Sequence, residues 1–142
     1  MRIMALDVGS KNIGVAVTDP LGMFAQPLTV LERKGIGGDC ARIFQLVRDN
    51  EVKVLVFGLP HDDDGKPTPF AARILELKAK VEHLLRQKNL KEVRLDTWDE
   101  TMTTIDAHEE LKRAGVKHSE RKGVIDKIAA VMILRSWMEA NT

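Results

Sequence analysis

The stretch Arg2-Ile3-Met4-Ala5-Leu6-Asp7-Val8-Gly9-Ser10-Lys11-Asn12-Ile13-Gly14-Val15-Ala16-Val17-Thr18 decides the architecture. Two apolar runs, Arg2–Val8 and Ile13–Thr18, flank a short Gly-Ser-Lys-Asn turn, which is the pattern of two strands folded into a hairpin. Side chains alternate along a strand, so Asp7 shares a face with Ile3 and Ala5. If that face is the core, a carboxylate there is costly unless it is paired or bound to a cation. The competing reading makes Asp7 a strand-end acid that caps the Gly9 turn.

Outward from the hairpin, Gln26–Leu31 reads as a third strand. Gly37-Gly38-Asp39 offers a helix start, and Cys40, Ile43, Phe44 and Val47 then follow at helical spacing. Val52–Phe57 is apolar and β-branched, as in a buried strand. Thr68-Pro69 reads as an N-cap with a first-position proline, and Phe70, Ile74, Leu77, Val81 and Leu84 make one stripe behind it. Val93–Trp98 is a further strand. A helix is expected over about 104–114, stopped by Gly115, and a last helix over about 121–140, apolar on nearly every side from Ile128 to Leu134. The order β-β-β-α-β-α-β-α-α predicts an α/β fold. Its sheet is mixed, an antiparallel β-β-β meander plus parallel crossover units, with helices on both faces.

The length of 142 residues suits a single domain, 1–142, and is too short for a two-lobed ATPase. No apolar run approaches the roughly 18 residues of a membrane span. Asp7 interrupts the N-terminal apolar run too early for a signal peptide. The lone Cys40 excludes an internal disulfide and a multi-cysteine zinc site, so a cytoplasmic protein is expected. A net charge of +1 does not announce a nucleic-acid partner, but the distribution of charge says more. Residues 112–127 carry Lys112, Arg113, Lys117, Arg121, Lys122 and Lys127 against Glu120 and Asp126 only. That segment is the best candidate for phosphate-backbone contacts.

Two further acids stand out. Asp126 shares a helical face with Ala130, Ile133 and Trp137, whose character says that the face points inward. Its competing reading is an acid in a first turn, favoured by the helix dipole. Asp99-Glu100 directly follows the last strand, where it could also be an ordinary turn. Acids from the first strand, the end of the last strand and the final helix would converge at one sheet edge. Such a carboxylate set favours a hard cation, Mg²⁺ or Mn²⁺. Two such ions can activate a water and stabilise the leaving oxygen of a phosphodiester.

Four segments resemble one family. Leu6-Asp7-Val8-Gly9-Ser10-Lys11-Asn12-Ile13-Gly14-Val15-Ala16 resembles the opening D-x-G-[ST]-K-x-I-G-V-A of the pre-16S rRNA nuclease family, the YqgF/RuvX group, also called Holliday junction resolvases. Gly58-Leu59-Pro60 with Asp64-Gly65, Asp99-Glu100-Thr101-Met102-Thr103-Thr104, and Lys122 with Asp126-Lys127-Ile128-Ala129-Ala130 resemble its other motifs, in the same order. The resemblance implies a ribonuclease H-like fold with a five-stranded sheet and a cytoplasmic hydrolase of ribosome biogenesis that matures the 5′ end of 16S rRNA. It implies Asp7, Glu100 and Asp126 as catalytic and metal-binding acids with Mg²⁺ or Mn²⁺, Asp99 being a further candidate ligand. Lys11, Lys117, Arg121 and Lys122 become the nucleic-acid-binding candidates. The implied partners are precursor rRNA, or junction DNA in the second place, and the ribosome or its 30S precursor; no membrane is implied, and the chain would be a monomer or homodimer. Thr101 replaces the family's arginine and removes a bidentate phosphate clamp at that point.

Bland readings attach to other residues. His61, His83, His108 and His118 lack metal-ligand spacing and read as surface residues. Cys40 and Trp137 read as core, and Asp62-Asp63 as a solvated turn. The alternatives to the nuclease are a four-way-junction resolvase, a nucleotide-binding domain and a non-catalytic RNA-binding processing factor.

Overall fold

The computed structural model describes residues 1–99 and 118–141, and side chains in the second stretch from Ile125 onward. The elements are β1 (Arg2–Val8), β2 (Asn12–Thr18), β3 (Ala25–Glu32), α1 (Ile36–Asp49), β4 (Val52–Leu59), α2 (Pro69–Gln87), β5 (Arg94–Asp99) and α3 (His118–Ala140). They form a five-stranded sheet in the order β3-β2-β1-β4-β5. β1 pairs antiparallel with β2, and β2 with β3, while β1–β4 and β4–β5 are parallel. The expected mixed sheet is what forms, with β1 at its centre.

Period-2 alternation gives the sheet two unlike faces. Met4, Leu6, Val8, Ile13, Val15, Leu55 and Phe57 pack against Cys40, Ile43 and Val47 of α1 and Ile74, Leu77, Val81 and Leu85 of α2. Ile3, Ala5, Ala16, Val54 and Val56 pack against Ala130, Val131, Ile133, Leu134 and Trp137 of α3. Helices therefore cover both faces, and Cys40 and Trp137 are core residues as read.

Local differences have local causes. α1 opens at Ile36, earlier than the Gly37-Gly38-Asp39 start, because Gly35 takes φ 90° and Asp39 N–H already bonds the Gly35 carbonyl. In α2 the buried stripe uses Ala71 and Leu85, while Phe70 and Leu84 are only partly covered. α3 begins at His118 rather than Arg121. The β2–β3 register slips between Val15 and Ala16, where Ala16 faces Pro27, a residue with no N–H to donate. The helix expected over 104–114 lies outside the described residues.

Candidate functional site

Asp7 stands near the C-terminal end of the central strand, on the α3 face, and is half-buried. Its antiparallel partner on β2 is Gly14. A Cβ built on Gly14 would lie 1.9 Å from the Asp126 carbonyl oxygen and 3.2 Å from Asp126 Cα. Only glycine lets α3 come this close, so the backbone of Asp126 rests on Gly14. Directly opposed residues hold their Cβ atoms about 5 Å apart, which sets Asp126 beside Asp7. Asp126 is itself half-buried, and its Oδ2 oxygen is fully covered. On the other flank of β1, Leu6 pairs with Phe57 of β4, and one further step of that register sets Gly58 beside Asp7. The aspartate thus lies between glycines on both neighbouring strands.

The helix is locked in this position from its far end. Trp137 Nε1 donates to Asp96 Oδ2 at 2.8 Å, and Trp98 Nε1 donates to Ser136 Oγ at 2.8 Å. Both contacts tie α3 to β5 on the face that carries Asp7.

The third expected acid is not placed with them. Glu100 lies outside the described residues. Asp99 is the last residue of β5 and pairs in register with Leu59, whose side chain belongs to the α1/α2 face. Asp99 also lines a pocket with His61, Trp98 and Ser136. Its Oδ1 lies 2.9 Å from His61 Nδ1, which also lies 3.1 Å from the Leu59 carbonyl. This corrects the surface reading of His61, whose side chain is 18% exposed and held against Asp99 at the end of β5. Asp62 behaves as the turn reading expects: Oδ1 accepts N–H bonds from Asp64 and Lys66 and closes the loop.

Among the cationic candidates, Lys11 sits at the tip of the β1–β2 turn, which the Gly9 N–H to Asn12 carbonyl bond closes at 2.8 Å. Arg121 and Lys122 belong to the early part of α3, ahead of Asp126. Lys117 lies outside the described residues.

Sequence reasoning overlooked a charge cluster behind the Lys11 turn. Asp39, in the first turn of α1, is completely buried. Its Oδ2 accepts from Arg33 Nε at 2.6 Å, and its Oδ1 accepts from Arg42 Nη2 at 2.6 Å and from the Lys34 N–H at 2.9 Å. Burial alone would push its pKa up; the hydrogen bonds from Lys34, Arg33 and Arg42 outweigh burial and hold the carboxyl below its ordinary value. Arg33 Nη1 also donates to the Gly9 carbonyl at 2.8 Å, and Arg33 N–H bonds the Lys11 carbonyl. Arg42 at i+3 of Asp39 was a visible signal of this cluster; the link to Gly9 was not.

The Asp7–Asp126 pair suits a hard divalent cation, since carboxylates are the ligands such ions take. Among the described residues no group of three His, Cys, Asp or Glu side chains converges. Of the expected ligands, the Asp126 backbone meets the residue opposite Asp7, and Glu100 lies outside the described residues. No helix among these residues is long and apolar enough to cross a membrane.

Comparison with known proteins fits this geometry. A relative from Thermoanaerobacter pseudethanolicus, named "Putative pre-16S rRNA nuclease", is 39% identical over 99% of this chain and 98% of its own length. One of the same name from Heliobacterium modesticaldum is 39% identical over 99% of this chain and 91% of its own. Thermus thermophilus RuvC has a similar fold, with a TM-score of 0.58 at 14% identity over 98% of this chain and 97% of that one. The fowlpox virus Holliday junction resolvase is similar at a TM-score of 0.58 and 18% identity, covering 99% of each chain. These two place the sheet among the ribonuclease H-like folds. Residues 1–140 match the family described as RuvX, Holliday junction resolvase. With that match and with relatives at this identity over nearly their whole length, the chain belongs to the RuvX Holliday junction resolvase family, a family of nucleases that hydrolyse phosphodiester bonds.

Proposed function

We propose that residues 1–142 act as one nuclease domain that trims precursor 16S rRNA at its 5′ end in the cytoplasm, with Asp7, Asp126 and Glu100 as the catalytic, cation-holding acids. The observation that carries the reading is the seat of Asp126 on Gly14, which brings two half-buried carboxylates from different elements to one edge of the sheet. Two like charges side by side repel, and a cation between them relieves that cost. The names borne by the relatives favour precursor rRNA as substrate.

Mg²⁺ or Mn²⁺ held there would supply the positive charge that activates a water and stabilises the leaving oxygen. The protein does the rest. β1 and α3 fix the two carboxylates, and the Trp137–Asp96 bond holds the helix that carries one of them. Gly14 lets α3 seat Asp126 against β2, next to the strand that carries Asp7. Lys11, Lys117, Arg121 and Lys122 contact substrate phosphates. Glu100, the acid after Asp99, completes the set in this reading.

The test is Mn²⁺-dependent cleavage of precursor rRNA, single-stranded RNA and junction DNA by the purified chain and by Asp7→Asn. The variant should lose more than the roughly 10–100-fold that removal of a metal's outer-shell partner costs. Its fold should be kept, or even stabilised, because a repulsive carboxylate is gone. Full activity in Asp7→Asn removes Asp7 from the mechanism, and cleavage of junction DNA alone moves the substrate to DNA.

A further inference from the structure

Ser10, Lys11, Asn12, Glu32 and Arg33 line a cavity of about 380 Å³ beyond the end of β1. Its floor is the β1–β2 turn, and its wall is the start of the β3–α1 connection. The position relative to Asp7 follows from the ladder. Gly14 stands opposite Asp7, and Lys11 lies three residues from Gly14 toward the turn, which at about 3.3 Å per step is roughly 10 Å. Asn12, in register with Glu32, shares the face that carries Asp7 and Gly14, while Arg33, one residue on, is held by Asp39 of α1 at the end of the sheet.

Arg33 is fixed rather than free. Its Nε and Nη1 are engaged by Asp39 and the Gly9 carbonyl, and the side chain remains 23% exposed. A guanidinium carries five N–H donors, so three are left over. Two of these are on Nη2, and Arg33 is one of the residues that line the cavity. A guanidinium oriented in this way loses little rotamer freedom when it takes up an oxyanion. Asp39 does not cancel the local charge, because it faces two arginines and is completely buried. The Lys11 ammonium adds a second cation on the same lining, and its side chain bonds no described residue. Glu32 is the one acid on that lining among the described residues, and it limits how tightly an anion is held.

We propose that Arg33 and Lys11 form a seat for one backbone phosphate of the nucleic-acid strand, neighbouring the phosphodiester presented to Asp7 and Asp126, with Asp39 as the residue that positions Arg33. The assignment rests on the nuclease reading for its substrate, and it adds a contact outside the 112–127 segment. A strand crossing the sheet edge there would be held on the β2–β3 side of the acids by Arg33 and Lys11. On the helix side it would be held by the cations that precede Asp126.

The experiment is fluorescence anisotropy of a labelled single-stranded RNA with the full chain in EDTA, across a salt series, so that binding is read without cleavage. The double substitution Lys11→Gln with Arg33→Gln should weaken binding about tenfold or more. It should also make the slope of log affinity against log salt shallower by about 0.7, the value of one lost phosphate contact on a single strand. Glu32→Gln should tighten binding. Lys11→Gln alone, which breaks no described hydrogen bond, carries the test if the arginine variant does not fold. An unchanged slope in a folded variant overturns the seat even where the wild type cleaves. A changed slope in a protein that never cleaves with Mn²⁺ keeps the seat and overturns the nuclease reading. Competition by ATP that depends on Arg33 and Lys11, with no slope change on RNA, would make the seat a nucleotide site and overturn the proposal.

Discussion

Toward α1 and α2, strands β1 and β2 present Met4, Leu6, Val8, Ile13, Val15 and Val17; toward α3 the same two strands present Ile3, Ala5, Asp7, Gly14 and Ala16. The first set is large and apolar, and its partners on the helices are also large. Apart from Ile3 the second set is small or acidic, and α3 meets it with Ala130 beside Val131, Ile133, Leu134 and Trp137. One face keeps its helices at the distance that bulky side chains impose. The other lets a helix backbone touch the strand. Close approach is what brings a helix-borne carboxylate to a strand-borne one, and bulky side chains at the same positions would forbid it. The α3 face has a core of its own, but it is also the face that carries Asp7.

The comparison breaks most strongly at Phe57, which is fully buried on the α1/α2 face. Phe57→Ala removes a large side chain from a packed interior and should cost about 3–5 kcal/mol of unfolding free energy. Since Phe57 points away from Asp7, cleavage by the surviving folded fraction should stay near the wild-type rate. Chemical denaturation beside a cleavage assay at low temperature reads both quantities. A folded variant with strongly reduced cleavage would show that the two faces are not independent.

Gly14→Ala is the counterpart on the other face. The added methyl would sit 1.9 Å from the Asp126 carbonyl oxygen, so strand or helix backbone must move. Overpacking of this kind costs typically 1–3 kcal/mol, and with backbone as the obstacle about 3 kcal/mol is expected. Displacing one carboxylate by about 1 Å should lower cleavage roughly 100-fold. Here activity should fall much further than the melting transition would suggest, the reverse of Phe57→Ala. Unchanged cleavage in Gly14→Ala would separate the helix position from catalysis.

The legibility of the two faces in the sequence differs for the same physical reason. Large apolar residues at period 2 or at helical spacing announce themselves. The strand Arg2–Val8, the core role of Cys40 and the mixed topology were all readable from that signal. The α3 face was readable only through its exceptions. Asp7 and Asp126 stood out because they are charged among apolar neighbours, but Gly14 carries no side chain and gave no sign of what rests on it. Asp99 and Glu100 look equivalent in the sequence, whereas the structure runs β5 through Asp99. His61 and the Arg33–Gly9 bond depend on loops meeting across the fold, at sequence separations that no local pattern encodes. The β2–β3 slip beside Pro27 belongs to the same class.

The smallest of the expected effects probes a link between the faces. Asp39 belongs to α1, yet through Arg33 it reaches the Gly9 carbonyl, two residues beyond Asp7. Asp39→Asn keeps the shape and removes one anionic acceptor. Both arginines retain contact with water, at 23% and 32% side-chain exposure, so the loss should fall at the low end for a hydrogen bond to a charged group, about 1.5 kcal/mol. Its pH dependence identifies the cause. The folded-state pKa of Asp39 lies below that of an ordinary aspartate, so its contribution is fully present above the ordinary value and fades as pH falls through the lower, folded value. Denaturation of both proteins from neutral pH down into the acid range should show the stability gap constant at first and closing below about pH 4. A gap that stays open in acid would assign the effect to packing. The carboxylate would then no longer be what ties the apolar face to the turn beyond Asp7.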